Sequence, residues 1–310
     1  MGAKATRESF GEALVQVGSA DERVWALDGD LMKSTYTHLF RDEHPDRFVE
    51  CGIAEKNMIG VAAGLALAGK VPFAASFACF IANRLEVIRM SVGYSDVNVR
   101  LCGTHAGIGI GDDGASQMGL EDVAAMRALP NMAVLQPADD RETRQAVEFL
   151  VGHDGPAYLR LTRQKLDDVN DDSYRFEFGK AVRLRDGSDV CLIGTGATVQ
   201  EALKAADALA SDGISARVLN VHTVKPIDGD AIRQAASECG RIVTVEDHNV
   251  AGGLGSAVAE VVAASDGARV TIVGVRDYGQ SGSSEELYDA YGISAAHVAA
   301  AAREAVAGKK

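Results

Sequence analysis

The sequence predicts an α/β protein of two doubly wound domains, each a mostly parallel sheet covered by helices on both faces. Three observations carry this expectation. Short apolar runs of strand length alternate along the chain with stretches whose apolar residues recur at helical spacing, the pattern of repeated βαβ units. The 310 residues are 47% hydrophobic and only 5% aromatic and include 33 glycines, a composition suited to close packing of small side chains between layers. One polar, acidic stretch without apolar periodicity, K-L-D-D-V-N-D-D-S-Y-R at 165–175, interrupts the alternation. It reads as part of an interdomain linker over 165–177, with domains at 1–164 and 178–310.

In the first domain, Phe10, Leu14 and Val17 mark a helix over 9–17 with Thr6 as its N-cap, and a strand follows at 24–27. Residues 58–68 are almost wholly Gly, Ala, Val, Leu and Ile. Such a helix is too small-sided to face water and too short to span a membrane, so it is expected inside the core. Glu55 opens it, near the positive end of the helix dipole, where an ionised carboxylate is tolerated. A strand at 71–75 leads to a helix over 81–92 that turns Leu85, Ile88 and Met90 to the core. Strands at 97–102, 132–136 and 158–161 and helices at 121–129 and 141–151 complete this half. In the second half, strands at 190–193, 216–220, 242–246 and 270–273 alternate with helices at 199–210, 229–238 and 254–263, and further helices form the tail. The turn Gly194-Thr195-Gly196-Ala197 is similar to a phosphate cradle, but a tight junction between strand and helix accounts for it.

Charge and composition narrow the function. A formal net charge of -13 argues against nucleic acid or an anionic membrane as partner, because a polyanion is repelled across most of the surface. A phosphate-bearing substrate therefore requires positive charge focused locally. No apolar run reaches membrane-spanning length, and the N-terminal residues lack the apolar core of a signal peptide. Cys51, Cys79, Cys102, Cys191 and Cys239 show no C-x-x-C spacing and are expected as reduced core residues of a cytoplasmic protein.

Four ordered stretches carry the chemistry: G-I-A-E-K-N-M at 52–58, P-F-A-A-S-F-A-C-F at 72–80, T-H-A-G-I-G-I-G-D-D-G-A-S-Q at 104–117 and L-P-N-M-A-V-L-Q-P-A-D at 129–139. Together they resemble the pyrimidine-binding domain of transketolases and of the related deoxyxylulose-phosphate synthases. The second half, with V-E-D-H-N-V-A-G-G-L-G-S at 245–256 and G-Q-S-G-S-S-E-E-L at 279–287, resembles the transketolase C-terminal domain. The resemblance implies a thiamine diphosphate-binding fold followed by that C-terminal domain, which in the family serves structure and dimer contacts.

The family likeness also implies roles for residues. The cofactor's own amino group becomes a competent base when a carboxyl group bonds the N1′ ring nitrogen, and Glu55 matches that carboxyl. The alternative is that Glu55 merely caps its helix, a role that glutamine would fill without loss of activity. Phe77 and Phe80 match aromatic positions that pack against the aminopyrimidine. Asp30 and Ser34 match a loop near the thiazolium and the substrate phosphate. His105 and Asp113 match polar residues that bond ketose hydroxyls, and Arg163 matches a phosphate-binding arginine. Arg160, just before it, is a second candidate for phosphate, against the alternative of an ordinary ion pair at a strand end. Two positions depart from the pattern. Gln117 stands where many transketolases carry a second histidine, and Asn83 where they often carry tyrosine; neither amide acts as an acid or base near neutral pH.

Asp28-Gly29-Asp30, followed by Asn57, is superficially similar to the element with which such enzymes hold Mg²⁺. Leu31 replaces its second glycine, and the asparagine falls inside the G-I-A-E-K-N-M motif, so no metal ligand is assigned. The chain thus resembles the C-terminal subunit of a split transketolase. Its expected partner is an N-terminal transketolase subunit whose domain binds the diphosphate and Mg²⁺, as an α2β2 assembly sharing thiamine diphosphate and acting on sugar phosphates, with the small, glycine-rich helices of the first domain as interface as well as core. Two alternatives remain open at this point. One is the β subunit of a 2-oxoacid dehydrogenase E1 component or a biosynthetic variant, passing a two-carbon unit to a lipoyl group or carrier protein; the other is a non-catalytic scaffolding subunit.

Overall fold

The computed structural model describes residues 3–264 and 267–308. It contains fourteen strands among the described residues: β1 Lys4–Ala5, β2 Val24–Asp28, β3 Phe48–Glu50, β4 Val71–Phe77, β5 Arg100–Thr104, β6 Ala133–Leu135, β7 Ala157–Arg160, β8 Lys165–Leu166, β9 Val182–Arg185, β10 Val190–Gly194, β11 Ala216–Asn220, β12 Thr223–Lys225, β13 Arg241–Asn249 and β14 Arg269–Val275. The larger sheet has the order β12-β6-β7-β5-β4-β2-β3 and is parallel except at β12. The second sheet has the order β14-β13-β10-β11-β9, parallel except at β9. The central strands β4, β5, β7 and β10 are buried along their whole length, as a sheet covered on both faces requires. The expected α/β architecture of two mostly parallel sheets is therefore the observed one.

Several expectations shift. The N-terminal helix spans Thr6–Ala20, and Thr6 does not cap it. Its hydroxyl instead accepts the Thr162 N–H at 2.7 Å. This bond extends the antiparallel pairing of β1 with β8, which ties the chain start to the segment following β7. The small-residue helix spans Glu55–Leu67 and buries Met58, Ile59, Ala62 and Ala63, but Gly60, Gly64 and Leu67 face outward. The expected place in the core holds for one face of the helix, and the other face is exposed. The helix expected over 81–92 is broken into Ala78–Ala82, Leu85–Val87 and a π-helix at Ile88–Tyr94. Ile88 is buried, whereas Leu85 is half-buried and Met90 exposed, because the break at Asn83 and Arg84 shifts the helical phase.

Residues 165–177 are packed against the first sheet's helices. Asp139 Oδ2 accepts the Val169 and Asn170 N–H groups at 3.0 and 2.9 Å, and the Tyr174 hydroxyl donates to Glu142 at 2.8 Å. Just beyond the second half's β11, β12 crosses to pair antiparallel with β6, so the second half supplies an edge strand to the first sheet. The Gly194–Ala197 turn is a junction: Gly196, at φ +53°, lies so close to Gln136 that a Cβ would fall 2.4 Å from Nε2.

Candidate active site at the carboxyl edge of the larger sheet

Because β2, β3, β4, β5 and β7 are parallel, the loops that follow them gather at one edge, where open α/β sheets hold ligands. The loop after β2 is fixed by Asp28. This buried carboxylate accepts the Leu31 N–H at 2.6 Å and the Thr35 and Thr37 hydroxyls at 2.6 and 2.8 Å, while burial pushes its pKa up to about 6. Asp30 is exposed at φ +66°, its N–H donating to Glu50 Oε1 at 2.8 Å; the same oxygen accepts the Gly52 N–H at 2.9 Å. One carboxylate at the end of β3 thereby joins the Asp30 loop to the turn that delivers Glu55.

Glu55 is 5% exposed at the first turn of its helix, with Arg84 Nη2 at 3.6 Å from its carboxylate. Beside it is a small cradle. A Cβ added to Gly29 would lie 3.5 Å from Glu55 Cγ, 3.6 Å from Gly52 O and 3.7 Å from Ser76 Oγ. Ser76 Oγ is buried and has no hydrogen-bond partner. An orphaned hydroxyl next to a buried carboxylate is costly unless a ligand completes it, and a nitrogen heterocycle offers the needed donors and acceptors. Phe77 stacks on Phe80 with ring centroids 5.6 Å apart and 6° between planes, and on His105 at 3.8 Å. This aromatic group stands at the end of β4, next to Ser76. The residues present therefore fit an aminopyrimidine.

His105, 2% exposed at φ +53°, is held by two bonds that fix its tautomer. Arg7 Nη1, which can only donate, lies 2.9 Å from Nε2, so Nε2 is the acceptor. Nδ1 then carries the proton and donates to Thr104 Oγ1 at 2.9 Å, whose own hydrogen goes to Ser76 O at 3.3 Å. Burial first, then the Arg7 and Arg163 charges, push the imidazole down to a pKa of about 3, so it is neutral throughout the physiological range.

Arg7 was not read from the sequence as a site residue. The pairing of β1 with β8 brings it there, 98 positions from His105 along the chain. Its Nη1 also donates to Ser34 O at 2.9 Å, its guanidinium lies over the Tyr36 ring, and its Nε is buried without a partner. Burial lowers its pKa, and the charge of Arg163 adds to that effect. Arg163 Nη1 donates to Ile110 O at 2.7 Å and sits 3.5 Å from Asp113 Oδ1. The two guanidinium groups are thus close enough to disfavour each other's charge, and one of them has an unpartnered donor. Gln117 is half-buried further along the same loop, and Asn83 is exposed beyond Phe80.

Arg160 is placed elsewhere. Its side chain is wholly buried and makes four hydrogen bonds: Nε to Asp122 Oδ2 at 2.8 Å, Nη1 to Asp247 Oδ1 at 2.7 Å, and Nη2 to Gly119 O at 2.9 Å and Asp247 O at 3.3 Å. The expected phosphate contact is replaced by a buried ion pair joining the two halves. A surface cavity of about 570 Å³ contains none of the residues above. It is lined by Lys4, Glu12, Asp140, Arg141 and Arg144, whose cations already face carboxylates, and geometry and chemistry favour the sheet edge over it. Among the described residues no group of three His, Cys, Asp or Glu side chains could hold a metal ion, and no helix is long and apolar enough to cross a membrane.

A buried carboxylate, stacked rings and two arginines gathered at the carboxyl edge of a parallel sheet define an α/β protein with a ligand site at that edge. The chain belongs to the transketolase family: the transketolase pyrimidine-binding domain matches residues 2–168 and the transketolase C-terminal domain residues 179–298. A 6-deoxy-6-sulfo-D-fructose transketolase subunit of Clostridium sp. (strain MSTE9) is 41% identical over 300 residues, covering 96% of this chain and 93% of that protein. Human transketolase is 42% identical over 303 residues, but these cover 96% of this chain and only 48% of the human protein. A solved split gene transketolase, described as an inactive beta4 tetramer, superposes with a TM-score of 0.92 at 43% identity over 99% of both chains.

Proposed function

We propose that this chain is the C-terminal subunit of a two-component transketolase. It moves a two-carbon ketol unit from a ketose phosphate to an aldose phosphate when joined, as α2β2, to an N-terminal subunit that holds the diphosphate and Mg²⁺. The observation that carries this reading is the cradle of Glu55, Gly29 and unpartnered Ser76 beside stacked Phe77 and Phe80. Thiamine diphosphate, when bound, supplies the nucleophilic carbon that takes up the ketose carbonyl carbon. Glu55 holds the proton shared with the pyrimidine ring nitrogen, and Ser76 offers a second polar contact there. Phe77 and Phe80 wall the ring and keep water away, while Asp30 faces the cofactor from the neighbouring loop.

On the substrate side, Arg7 and Arg163 grip the terminal anion with the Ser34 loop. As Arg7 turns to that anion, the His105 Nε2 lone pair is released to accept a sugar hydroxyl. Asp113 and Gln117 take further hydroxyls. The Clostridium relative is named for a sulfonated sugar; a sulfonate and a phosphate both present a tetrahedral anion to paired guanidiniums, so either suits Arg7 and Arg163.

The docking surface in this reading is the outward face of the Glu55–Leu67 helix. Gly60 and Gly64 have nothing near them, Leu67 is 75% exposed and Ile53 84%, and Met90 and Tyr94 on the adjacent segment are 51% and 82% exposed. A monomeric surface rarely collects so many apolar groups, whereas a partner helix packs closely on glycine. The reading extends to a cytoplasmic enzyme with an acidic linker at 165–177 between domains 1–164 and 178–310. Ketol transfer from xylulose 5-phosphate to ribose 5-phosphate, measured with this chain alone and with an N-terminal transketolase subunit, tests the proposal. Activity confined to the mixture supports it; no activity in a mixture that forms a complex and binds the cofactor overturns it.

A further inference from the structure

We infer that the second half of the chain positions the sugar-binding loop, through Ser284 and Tyr288, and thereby sets how tightly the donor is held; this rests on the function proposed above. The loop from His105 to Gly119 carries His105, Asp113 and Gln117, yet its own regular structure is limited to two short 3-10 turns, Ile108–Ile110 and Ala115–Gln117. Glycines at 107, 109, 111, 114 and 119 leave its backbone many alternatives. Contacts from the second half select one of them.

At the base, Gly119 O accepts both the Gly107 N–H and Arg160 Nη2 at 2.9 Å. Gly107, at φ +82°, rests directly on Asp247, where a Cβ would fall 2.0 Å from Oδ2. Midway, Ser284 Oγ donates to Gly109 O at 2.6 Å. Gly109 also lies on Gln164, a Cβ there meeting Nε2 at 2.3 Å. Gln164 Nε2 donates to the Tyr288 hydroxyl at 2.9 Å, and that hydroxyl donates to Asp247 Oδ2 at 3.3 Å. Near the tip, Gly114 packs on Ser281 Oγ. The helix Ser284–Ala290 and the strand β13 thus line the loop from the second half of the chain. Gln164 directly follows Arg163, so the same relay steadies the guanidinium that faces Asp113.

Ser284 and Tyr288 are positioning residues: neither touches the proposed substrate, and each acts through Gly109 or Gln164. Asp247 and Arg160 share the work but also close a buried ion pair, so their variants would confuse positioning with folding. The double variant Ser284→Ala/Tyr288→Phe removes only two hydroxyls. In the complex with the N-terminal subunit it is expected to raise the KM for xylulose 5-phosphate about 5- to 10-fold, the size of one or two hydrogen bonds, with kcat changed less than about twofold. Hydrogen exchange at amides 107–117 of the chain alone should quicken about tenfold, with exchange in β4 and β10 unchanged. Ser284→Thr, which keeps the hydroxyl, should retain the parental KM. A double variant with parental donor KM and parental loop exchange overturns the inference, as does exchange rising equally in both sheets. If the parental complex has no ketol transfer at all, the proposed function fails, and the exchange measurement still decides whether the loop is held from the second half.

Discussion

Replacing Arg7 by methionine separates recognition of the anion from recognition of the sugar. Arg7 is half-buried, its Nη1 bonds Ser34 O and His105 Nε2 at 2.9 Å, and its buried Nε has no partner. A hydrogen bond to a charged group contributes about 1.5–3 kcal/mol, and the partial exposure of the guanidinium places the loss at the lower end, about 1.5–2 kcal/mol. At about 1.4 kcal/mol per tenfold, the KM for xylulose 5-phosphate should rise roughly 10- to 30-fold. The KM for erythrulose, a ketose without the terminal anion, should change less than about twofold. His105 stays neutral in the variant, because burial is the larger cause of its low pKa and only the smaller contribution of Arg7 is removed. The pH profile should therefore keep its shape while the phosphate donor weakens. Steady-state kinetics with both donors, in the reconstituted complex, read the difference. Equal losses on both donors would refute the assignment of Arg7 to the anion.

Other outcomes follow from the same geometry. Arg160→Met leaves Asp122 and Asp247 buried without their cation and should lower the free energy of unfolding in urea by about 3–5 kcal/mol; a loss under about 1 kcal/mol would contradict the buried pair. His222 is buried, and burial lowers its pKa to about 4, below the value near 6.5 in an unfolded chain. Between those values the unfolded chain binds more protons, so stability is lost as pH falls from about 6.5 toward 4, and above about pH 7 His222 adds no pH dependence. His222→Gln should make the acid side of the stability profile shallower by up to about 1.4 kcal/mol per pH unit, and an unchanged slope would count against it. Gly64→Leu places a side chain into open space on the helix, so the isolated chain should be stabilised, by up to about 1 kcal/mol, while binding of the N-terminal subunit weakens. Thermal melting and titration calorimetry distinguish that pattern from a face that carries no partner.

Much of the fold was legible because its signals are local. Apolar runs at 190–193 and 71–75 read as strands and are buried strands in the structure, and the helix over 254–263 is observed at those bounds. What escaped depends on long-range pairing. Thr223–Lys225 joins the first sheet through backbone bonds that leave no mark on its side-chain pattern. Glycine and alanine look the same to a pattern whether they meet a core or a partner, so the pattern does not divide the Glu55–Leu67 helix into its buried and exposed faces. At the site, Glu55, Phe77, Phe80 and His105 sit in continuous motifs and gather at one edge as strand ends. Arg7 lies in an unremarkable helix start, and only the pairing of β1 with β8 reveals it. Arg160 shows the converse: a position close to Arg163 in sequence said nothing about Asp122 and Asp247, which approach from 38 and 87 residues away.

The central claim is that Glu55 holds the proton that activates the cofactor, in a site completed by another subunit. Its most direct test is ketol transfer by the Glu55→Gln chain mixed with the N-terminal subunit, beside the unchanged chain in the same mixture. A loss of about 100-fold or more in kcat is expected, with the complex still formed and the cofactor still bound. Activity within about twofold of the unchanged chain would reduce Glu55 to a helix cap and contradict the account.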